Sequence, residues 1–148
     1  MKNILVAIEV NNTELMNRML DSATQLAKAF NAKCWLIQIA APDPDFVGYE
    51  VGPQYIRDFK ADELREIHRE VQTQTQLLTA KGIDAEGLMI QGSTEEMILA
   101  EVEKLKIDLL VLGNKNHGLL HSIFIGSITD DLIKEARIPI LLIPGEAE

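Results

Sequence analysis

The sequence predicts a single α/β domain, a doubly wound parallel sheet of five strands with helices on both faces. Three observations favour this class. Short apolar runs alternate with longer amphipathic segments along the chain, and this alternation is typical of parallel strands joined by right-handed crossovers. The apolar runs are continuous, as expected for strands covered on both faces. The length of 148 residues suits one domain, so residues 1–148 are expected to fold together.

Five segments have the composition of buried strands. They are residues 3–9 (NILVAIE), 33–39 (KCWLIQI), 86–90 (EGLMI), 107–112 (IDLLVL) and 138–143 (IPILLI). Each is rich in aliphatic residues and short enough to be a strand rather than a helix. Cys34 is the only cysteine of the chain. Its apolar neighbours predict a buried core thiol rather than a nucleophile.

The first helix is predicted between the first two strands. Asn12 or Thr13 is placed to cap its start. The apolar residues of this segment recur at three- and four-residue steps, which places them on one face of a helix. They are Leu15, Met16, Met19, Leu20, Ala23, Ala27 and Phe30. We expect this face to pack on the sheet.

Three further helices are predicted. The second covers residues 59–80, where Gly82 can supply a left-handed residue just after the last turn. The third, STEEMILAEVEKL, opens with a capping box from Ser93 to Glu96. The last is SITDDLIKEA. The expected apolar stripes are Leu64, Ile67, Val71 and Leu78 in the second helix and Ile98, Val102 and Leu105 in the third.

The charge of the chain disfavours two classes of partner. With 23 acidic and 14 basic residues, the formal net charge is -9, so the average field repels phosphate backbones and anionic lipid surfaces. We therefore predict no nucleic-acid partner and no membrane partner. The first residues, MKNILVAIEVNN, have only a short apolar run interrupted by Glu9 and no small-residue cleavage site. A cytoplasmic location is expected.

An unusually long connection, GNKNHGLLHSIFIGS, joins the fourth strand to the last helix. Such connections usually have about two to six residues, and longer ones are commonly functional. This one runs into a helix N-terminus, whose free amides favour an anion. From Gly113 to Thr129 there is no Asp or Glu, whereas Lys115, His117 and His121 are present. The connection therefore predicts a phosphate site at the carboxyl ends of the strands.

Several common sites do not fit this connection. GNKNHG has the glycine spacing of a P-loop, but Leu119 and Leu120 stand where its Lys and Ser/Thr should be. No G-x-G-x-x-G follows the first strand, which disfavours a dinucleotide-binding domain. A phospho-receiver would need an acidic pair there, and the sequence offers only Glu9. His117 and His121 have no evident third ligand, so we predict no metal site in the protein itself.

With these excluded, the chain resembles the universal stress protein family. The phosphate motif of that family is a glycine, two residues, a second glycine, nine residues, then Gly-Ser or Gly-Thr. Gly113, Asn116, Gly126 and Ser127 fall on this spacing, and three of the four positions match. The similarity covers the whole chain, in particular NILVAIE, IDLLVLGNKNHG and IGSITDDLIKEARIPILLIP. The resemblance implies the strand order 3-2-1-4-5, with strands one and four side by side.

The resemblance also implies a site for ATP or another adenine nucleotide, with Mg²⁺. Its adenine and ribose end would meet Ala7, Glu9, Ile39 and Leu112. Its phosphates would meet Gly113, Asn116, Gly126, Ser127 and Ile128, with Lys115 placed to screen their charge. Glu9 stands where ATP-binding members have Asp. Asn116 replaces the second glycine, and Asn is the non-glycine residue that best tolerates a left-handed backbone.

Two functions stay open. The chain is either a cytosolic ATP-binding regulator of the stress response or a stress-associated interaction protein whose vestigial cleft binds no nucleotide. We identify no catalytic residue, because the connection offers only Lys115 and two histidines for phosphoryl transfer, so weak ATP hydrolysis is the most it indicates. Purely structural interpretations also exist. Gly113 can end a strand, Ser127 can cap the last helix, and Glu9 can cap the first helix or pair with a base.

The segment that follows the second strand is the other unusual connection. Residues 41–57 carry Phe46, Tyr49 and Tyr55 among prolines and glycines. The segment is predicted either to close over the ligand as a lid or to contact a partner.

The closing segment RIPILLIP is expected to be an edge strand in the order 3-2-1-4-5. An exposed apolar edge invites pairing with another chain. Pro139 and Pro144 bracket the run and restrict the ladder to a short central stretch. We therefore predict a homodimer through this C-terminal edge strand, formed about a two-fold axis, and the family resemblance implies the same dimer.

Overall fold

Five parallel strands form the sheet of the computed structural model, which describes residues 1–40, 54–92, 94–114 and 130–145, with the backbone alone for residues 54–60. The strands are β1 (Asn3–Ala7), β2 (Lys33–Ala40), β3 (Ala85–Gln91), β4 (Leu109–Asn114) and β5 (Ile140–Pro144). Their order across the sheet is β3-β2-β1-β4-β5, and every neighbouring pair is parallel. The predicted fold class and strand order are confirmed.

The helices are α1 (Thr13–Phe30), α2 (Gln54–Ala80), α3 (Thr94–Lys104) and α4, the helical residues 130–135. The Asn12 side chain caps α1, because its Oδ1 accepts a hydrogen bond from the Leu15 amide at 3.2 Å. Helix α2 begins at Gln54 rather than at residue 59, and Pro53 is the last helix-breaking residue before it. The predicted capping box at Ser93 lies outside the described residues. No described helix is long and apolar enough to cross a membrane.

Strand ends differ from the sequence prediction where turns compete with the ladder. Strand β1 stops at Ala7 because the chain turns there, with the Asn12 amide bonded to the Glu9 carbonyl at 3.0 Å. Strand β4 starts at Leu109, since the Ile107 amide still belongs to the last turn of α3. It runs on to Asn114 because β5 continues to pair with it.

Side chains of the strands alternate between two apolar layers. We call one the α1/α2 face, where Ile4, Val6, Cys34, Leu36 and Val111 are buried. We call the other the α3/α4 face, where Leu5, Ile37, Leu110, Leu112 and Leu132 are buried. Each fully buried aliphatic side chain contributes about 1.5–3 kcal/mol. Because both faces are covered, the apolar runs of β1, β2 and β4 become strands without a solvated side, whereas the edge strands β3 and β5 keep exposed residues.

Two predictions about the first helix and its neighbouring strand have clear outcomes. Cys34 is fully buried, and its burial raises the pKa of the thiol to about 11, so the predicted core role is confirmed. Six members of the predicted α1 stripe are buried. The prediction is wrong for the seventh residue, Phe30, which is the last residue of α1 and is 53% exposed.

Helices α1, α2 and α3 all end in the same way. One residue adopts a left-handed backbone, and the next amide bonds to the carbonyl five residues before it. The left-handed residues are Asn31, Gly82 and Lys106, with φ of 54°, 87° and 55°. The residues after them are buried and bond at 2.9, 3.2 and 3.0 Å, in the pairs Ala32 to Ala27, Ile83 to Leu78 and Ile107 to Val102. The cap predicted at Gly82 is confirmed, and each such turn leads into the next strand.

Substitutions at two of these left-handed positions should change stability in opposite directions. Lys106→Gly should raise the free energy of unfolding by about 0.5–1 kcal/mol, because a lysine side chain is strained at positive φ. Gly82→Ala should lower it by about 1 kcal/mol, although an added Cβ would meet no atom within 4 Å. Urea unfolding of both variants measures this. If Lys106→Gly were less stable than the parent protein, the left-handed backbone at residue 106 would not have the expected energetic cost.

The carboxylate of Glu95 in α3 lies close to the carboxylates of Asp131 and Glu135 in α4. Burial, and then the neighbouring carboxylates of Asp131 and Glu135, raise the pKa of Glu95 above its ordinary value of 4.5. The folded chain therefore holds a proton at Glu95 more tightly than the unfolded chain does. The stability that this proton contributes is present below the ordinary pKa of Glu95 and is lost as the pH rises through the raised value.

Glu95→Gln should therefore raise the melting temperature at pH 7, because it removes the repulsion between α3 and α4. The gain over the parent protein should shrink as the pH falls below about 4. Thermal melts at both pH values measure it. Glu96→Gln is the matched control, since this exposed neighbour lies in the same first turn of α3 and loses the same helix-dipole interaction. Equal increases in the melting temperature of the two variants would show that repulsion between the Glu95 carboxylate and its neighbours does not destabilise the parent protein.

Candidate functional site

The order of the strands reverses between β1 and β4. Strand β2 lies on one side of β1, and the chain crosses back to place β4 on the other. At such a reversal the connections after the two strands leave in different directions and open a crevice at the carboxyl edge of the sheet. The crevice beyond β1 and β4 is therefore the place where a ligand is expected.

Three predicted site residues come together at this edge. Ala7, Ile39 and Leu112 lie at the carboxyl ends of β1, β2 and β4, and all belong to the α3/α4 face. We call these three side chains the apolar floor. Leu112 lies beside Ala7, one residue past the pair Val6 and Val111, whereas Ile39 lies two residues beyond Ile37, the partner of Ala7 on β2. Leu112 is buried, whereas Ala7 and Ile39 are half-buried, so part of the floor stays accessible.

Glu9 lies in the turn that joins β1 to α1. The Ile8 amide still bonds to the Ile37 carbonyl at 2.9 Å, and the turn closes from the Asn12 amide to the Glu9 carbonyl at 3.0 Å. The Glu9 side chain is half-buried. The turn thus places this predicted site residue two positions beyond Ala7, at the same edge as the apolar floor.

Gln38 holds this turn, and sequence reasoning missed it. The side chain is only 7% exposed. Its Oε1 accepts a hydrogen bond from the Val10 amide at 3.0 Å, and its Nε2 donates to the Ile39 carbonyl at 3.1 Å. One buried amide therefore connects the turn that carries Glu9 to the strand that carries Ile39. The available signal was a lone polar residue at the end of the apolar run KCWLIQI.

Gly113 lies inside β4 and is turned away from the apolar floor. A Cβ added there would come within 2.6 Å of Leu15 Cδ2 and 3.1 Å of Met19 Sδ. Glycine at this position lets α1 lie close against β4. Gly113 is the penultimate residue of β4, so it lies close to the end of that strand, as its purely structural interpretation expects. Its contact with a phosphate remains a prediction.

The other predicted phosphate contacts lie outside the described residues. They are Lys115, Asn116, Gly126, Ser127 and Ile128. His117, His121, Phe46 and Tyr49 also lie outside them, whereas Tyr55 falls in the first turn of α2. The lid and partner-contact hypotheses for residues 41–57 therefore remain predictions. Within the described ranges, no group of three or more His, Cys, Asp or Glu side chains is arranged to hold a metal ion.

Comparison with known sequences finds one family. Residues 1–144 match the model of the universal stress protein family. The universal stress protein in the QAH/OAS sulfhydrylase 3' region of Thermus aquaticus is 27% identical over 143 residues, which cover 96% of this chain and 98% of the relative. Universal stress protein MJ0531 of Methanocaldococcus jannaschii is 26% identical over 140 residues, which cover 93% and 80%.

Solved structures share the fold. Hypothetical protein MJ0577 superposes with a TM-score of 0.80 at 18% identity, covering 99% of this chain and 98% of its own. A universal stress protein from Archaeoglobus fulgidus in complex with dAMP has a TM-score of 0.68 at 14% identity, with 97% and 98% covered. A universal stress protein in complex with cAMP has a TM-score of 0.64 at 21% identity, with 98% of both chains covered.

Gln38→Met tests the role of the buried amide. Methionine has a similar length but cannot accept the bond from the Val10 amide, so the free energy of unfolding should fall by about 1–3 kcal/mol. Hydrogen exchange of the Val10 amide should become faster. Gln91→Met, at the exposed end of β3, is the matched control and should change stability by less than about 0.5 kcal/mol. Unchanged exchange at Val10 would show that Gln38 does not hold the turn.

Proposed function

Because the chain belongs to the universal stress protein family, we propose that it binds an adenine nucleotide, foremost ATP with Mg²⁺, and acts in the cytoplasm as a regulator of the stress response. One observation carries this proposal. The fold sets the apolar floor and the Glu9 turn beside the start of the glycine-bounded segment 113–127. The relatives in complex with dAMP and cAMP support an adenine ligand for this fold.

The chemistry of the described residues suits the nucleoside. An adenine ring is flat and largely apolar on its faces, so it can lie on the apolar floor. The small side chain of Ala7 leaves room at the centre of that floor. A carboxylate accepts hydrogen bonds from ribose hydroxyls, and Glu9 lies at the same edge. The Gln38 amide would keep Glu9 in place while the nucleoside enters.

The phosphates are assigned to the segment that follows β4. Gly113, Gly126 and Ser127 keep the spacing of the family motif. No acidic residue occurs between Gly113 and Thr129 in a chain of net charge -9, so phosphate repulsion is lowest there. Lys115 and a Mg²⁺ ion would screen the remaining charge. We assign no catalytic group.

One observation favours the second function, a stress-associated interaction protein with an empty cleft. The contact of α1 with β4 already requires glycine at position 113, whether or not a phosphate binds. A motif glycine can thus persist after its ligand is lost. In that case the surfaces of the chain, not the crevice, would carry the function.

We further propose a homodimer through β5. This strand lies at the edge of the sheet, and Leu142 is 37% exposed on it. Pro139 and Pro144 bracket its apolar run and limit the length of any added ladder. A second copy would pair its own β5 with this edge and cover the exposed apolar side chain.

Calorimetry with ATP tests the nucleotide proposal. Titration with ATP and Mg²⁺ should release heat, whereas NAD and FAD should give little. Native mass spectrometry of the gently purified protein should show a nucleotide as added mass. Gly126→Val should weaken binding about 10- to 100-fold, because a branched side chain blocks a charge-assisted phosphate contact.

Gly118→Val is the matched control, since this glycine lies in the same segment but off the motif. It should leave the affinity within about twofold, as expected for a position without a phosphate contact. No heat at millimolar ATP, with or without Mg²⁺, would favour the empty-cleft function. Equal affinities of the two folded variants would overturn the placement of the phosphates.

A further inference from the structure

The segment 113–127, to which the phosphates are assigned, begins inside the sheet. Its first two residues, Gly113 and Asn114, are the last two residues of β4. Gly113 is held from the α1/α2 face, because the Leu15 and Met19 side chains of α1 leave no space for a Cβ at this position. Helix α1 therefore fixes the first residue of the segment by direct packing.

Asn114 is held from β5 instead. The Gly145 amide donates to the Asn114 carbonyl at 2.6 Å, and this is the last bond between the two strands in the described part of the chain. Gly145 lies one residue beyond the end of β5. The ends of secondary-structure elements open more easily than their centres, because fewer neighbouring bonds restrain them. The position of Asn114 thus depends on whether Gly145 stays in place.

Arg18, in the second turn of α1, holds Gly145. Its Nη1 donates to the Gly145 carbonyl at 2.8 Å and to the Pro144 carbonyl at 3.2 Å. Gly145 is buried under this contact. Glycine has more backbone freedom to lose than any other residue, so an external contact matters most at such a position. Through Gly145, the same helix that packs on Gly113 also restrains Asn114.

The ion pair of Arg18 with Glu14 does not account for this arrangement. The Arg18 Nη2 lies 3.6 Å from a Glu14 carboxylate oxygen, and the two side chains are 41% and 57% exposed. Such a surface pair contributes little to stability. The two contacts with backbone carbonyls are shorter, and hydrogen bonds from a charged donor are the stronger kind. The guanidinium therefore acts mainly on the backbone at the end of β5.

Restraint at the start of the segment matters for binding. Ordering a chain segment on binding costs free energy, and fixing it beforehand removes part of that cost. The nucleoside end of the site has its own support, because Gln38 holds the turn that carries Glu9. At the phosphate end, support comes from α1, which reaches Asn114 through Gly145. Loss of the Arg18 contacts should therefore weaken binding of the phosphates and spare the nucleoside.

We propose that Arg18 is a positioning residue for the nucleotide phosphates, which holds Gly145 and thereby the start of the segment 113–127. This inference rests on the nucleotide function proposed above and does not depend on the homodimer. It adds to the site a residue that lies outside the spacing of the family motif.

Calorimetry with two ligands tests the role of Arg18. The ligands are ATP with Mg²⁺ and adenosine, which lacks the phosphates. In Arg18→Gln the affinity for ATP should fall about 3- to 10-fold, part of the effect of one charge-assisted hydrogen bond. The affinity for adenosine should stay within about twofold of that of the parent protein. An equal loss for both ligands would show a merely structural role and overturn the proposal.

Glu14→Gln is the matched control for charge. Arg18→Gln removes a positive charge, which by itself weakens the attraction of an anion. Glu14→Gln changes the charge of the same helix by one unit in the opposite direction and leaves both carbonyl contacts of Arg18 in place. Its affinity for ATP should stay within about twofold of the parent value. A gain as large as the loss in Arg18→Gln would show that charge alone acts, which would overturn the proposal.

Hydrogen exchange of the protein without ligand tests the strand end separately. In Arg18→Gln the Gly145 amide should exchange at least about fivefold faster. The Leu110 amide, which bonds to the Pro139 carbonyl at 3.1 Å near the start of β5, is the internal control and should not change. Unchanged exchange at Gly145, or equally faster exchange at both amides, would show that Arg18 does not specifically hold this end.

The two proposals fail in different ways. If the parent protein gives no heat with either ligand, the nucleotide function is refuted, and the role of Arg18 with it. If the parent protein binds ATP and Arg18→Gln binds it with unchanged affinity, the nucleotide function stands and only the role of Arg18 is overturned.

Discussion

The parallel pairing of β1 with β4 is the constraint on which the rest of the structure depends. The residues that pair, such as Ile4 with Leu109, are far apart in the sequence and join only because the chain crosses back over β1. This pairing brings the carboxyl ends of the two strands together. It thereby places Ala7 beside Leu112 and the Glu9 turn beside the start of the segment 113–127. Without it there is no crevice.

Helix α1 connects the Glu9 turn, β4 and the end of β5. Its first turn follows Glu9, its side chains Leu15 and Met19 leave room only for glycine at position 113, and Arg18 reaches the end of β5. One rigid element thus contacts both surfaces for which we propose a function.

The sequence predicted the helices and strands themselves better than it predicted where they end. Apolar periodicity was enough to locate every described helix and strand, because burial of both sheet faces leaves a strong local pattern. It was less reliable at the ends of elements. Phe30 continues the spacing of α1 but is the exposed last residue of that helix, and β4 gained Gly113 and Asn114 from its pairing with β5. Spacing counts side chains along one element and contains no information about where a neighbouring strand stops.

By itself, the sequence determined the α/β class, the buried Cys34, the cap at Gly82 and the family motif, since each depends on residues close together in the chain. Only the tertiary structure decided that Gln38 holds the Glu9 turn, that Gly113 faces α1, and that Arg18 occupies the end of β5. These are contacts between residues distant in the chain. Their geometry follows from how the strands pair and how the helices cross them, which no local pattern of residues encodes.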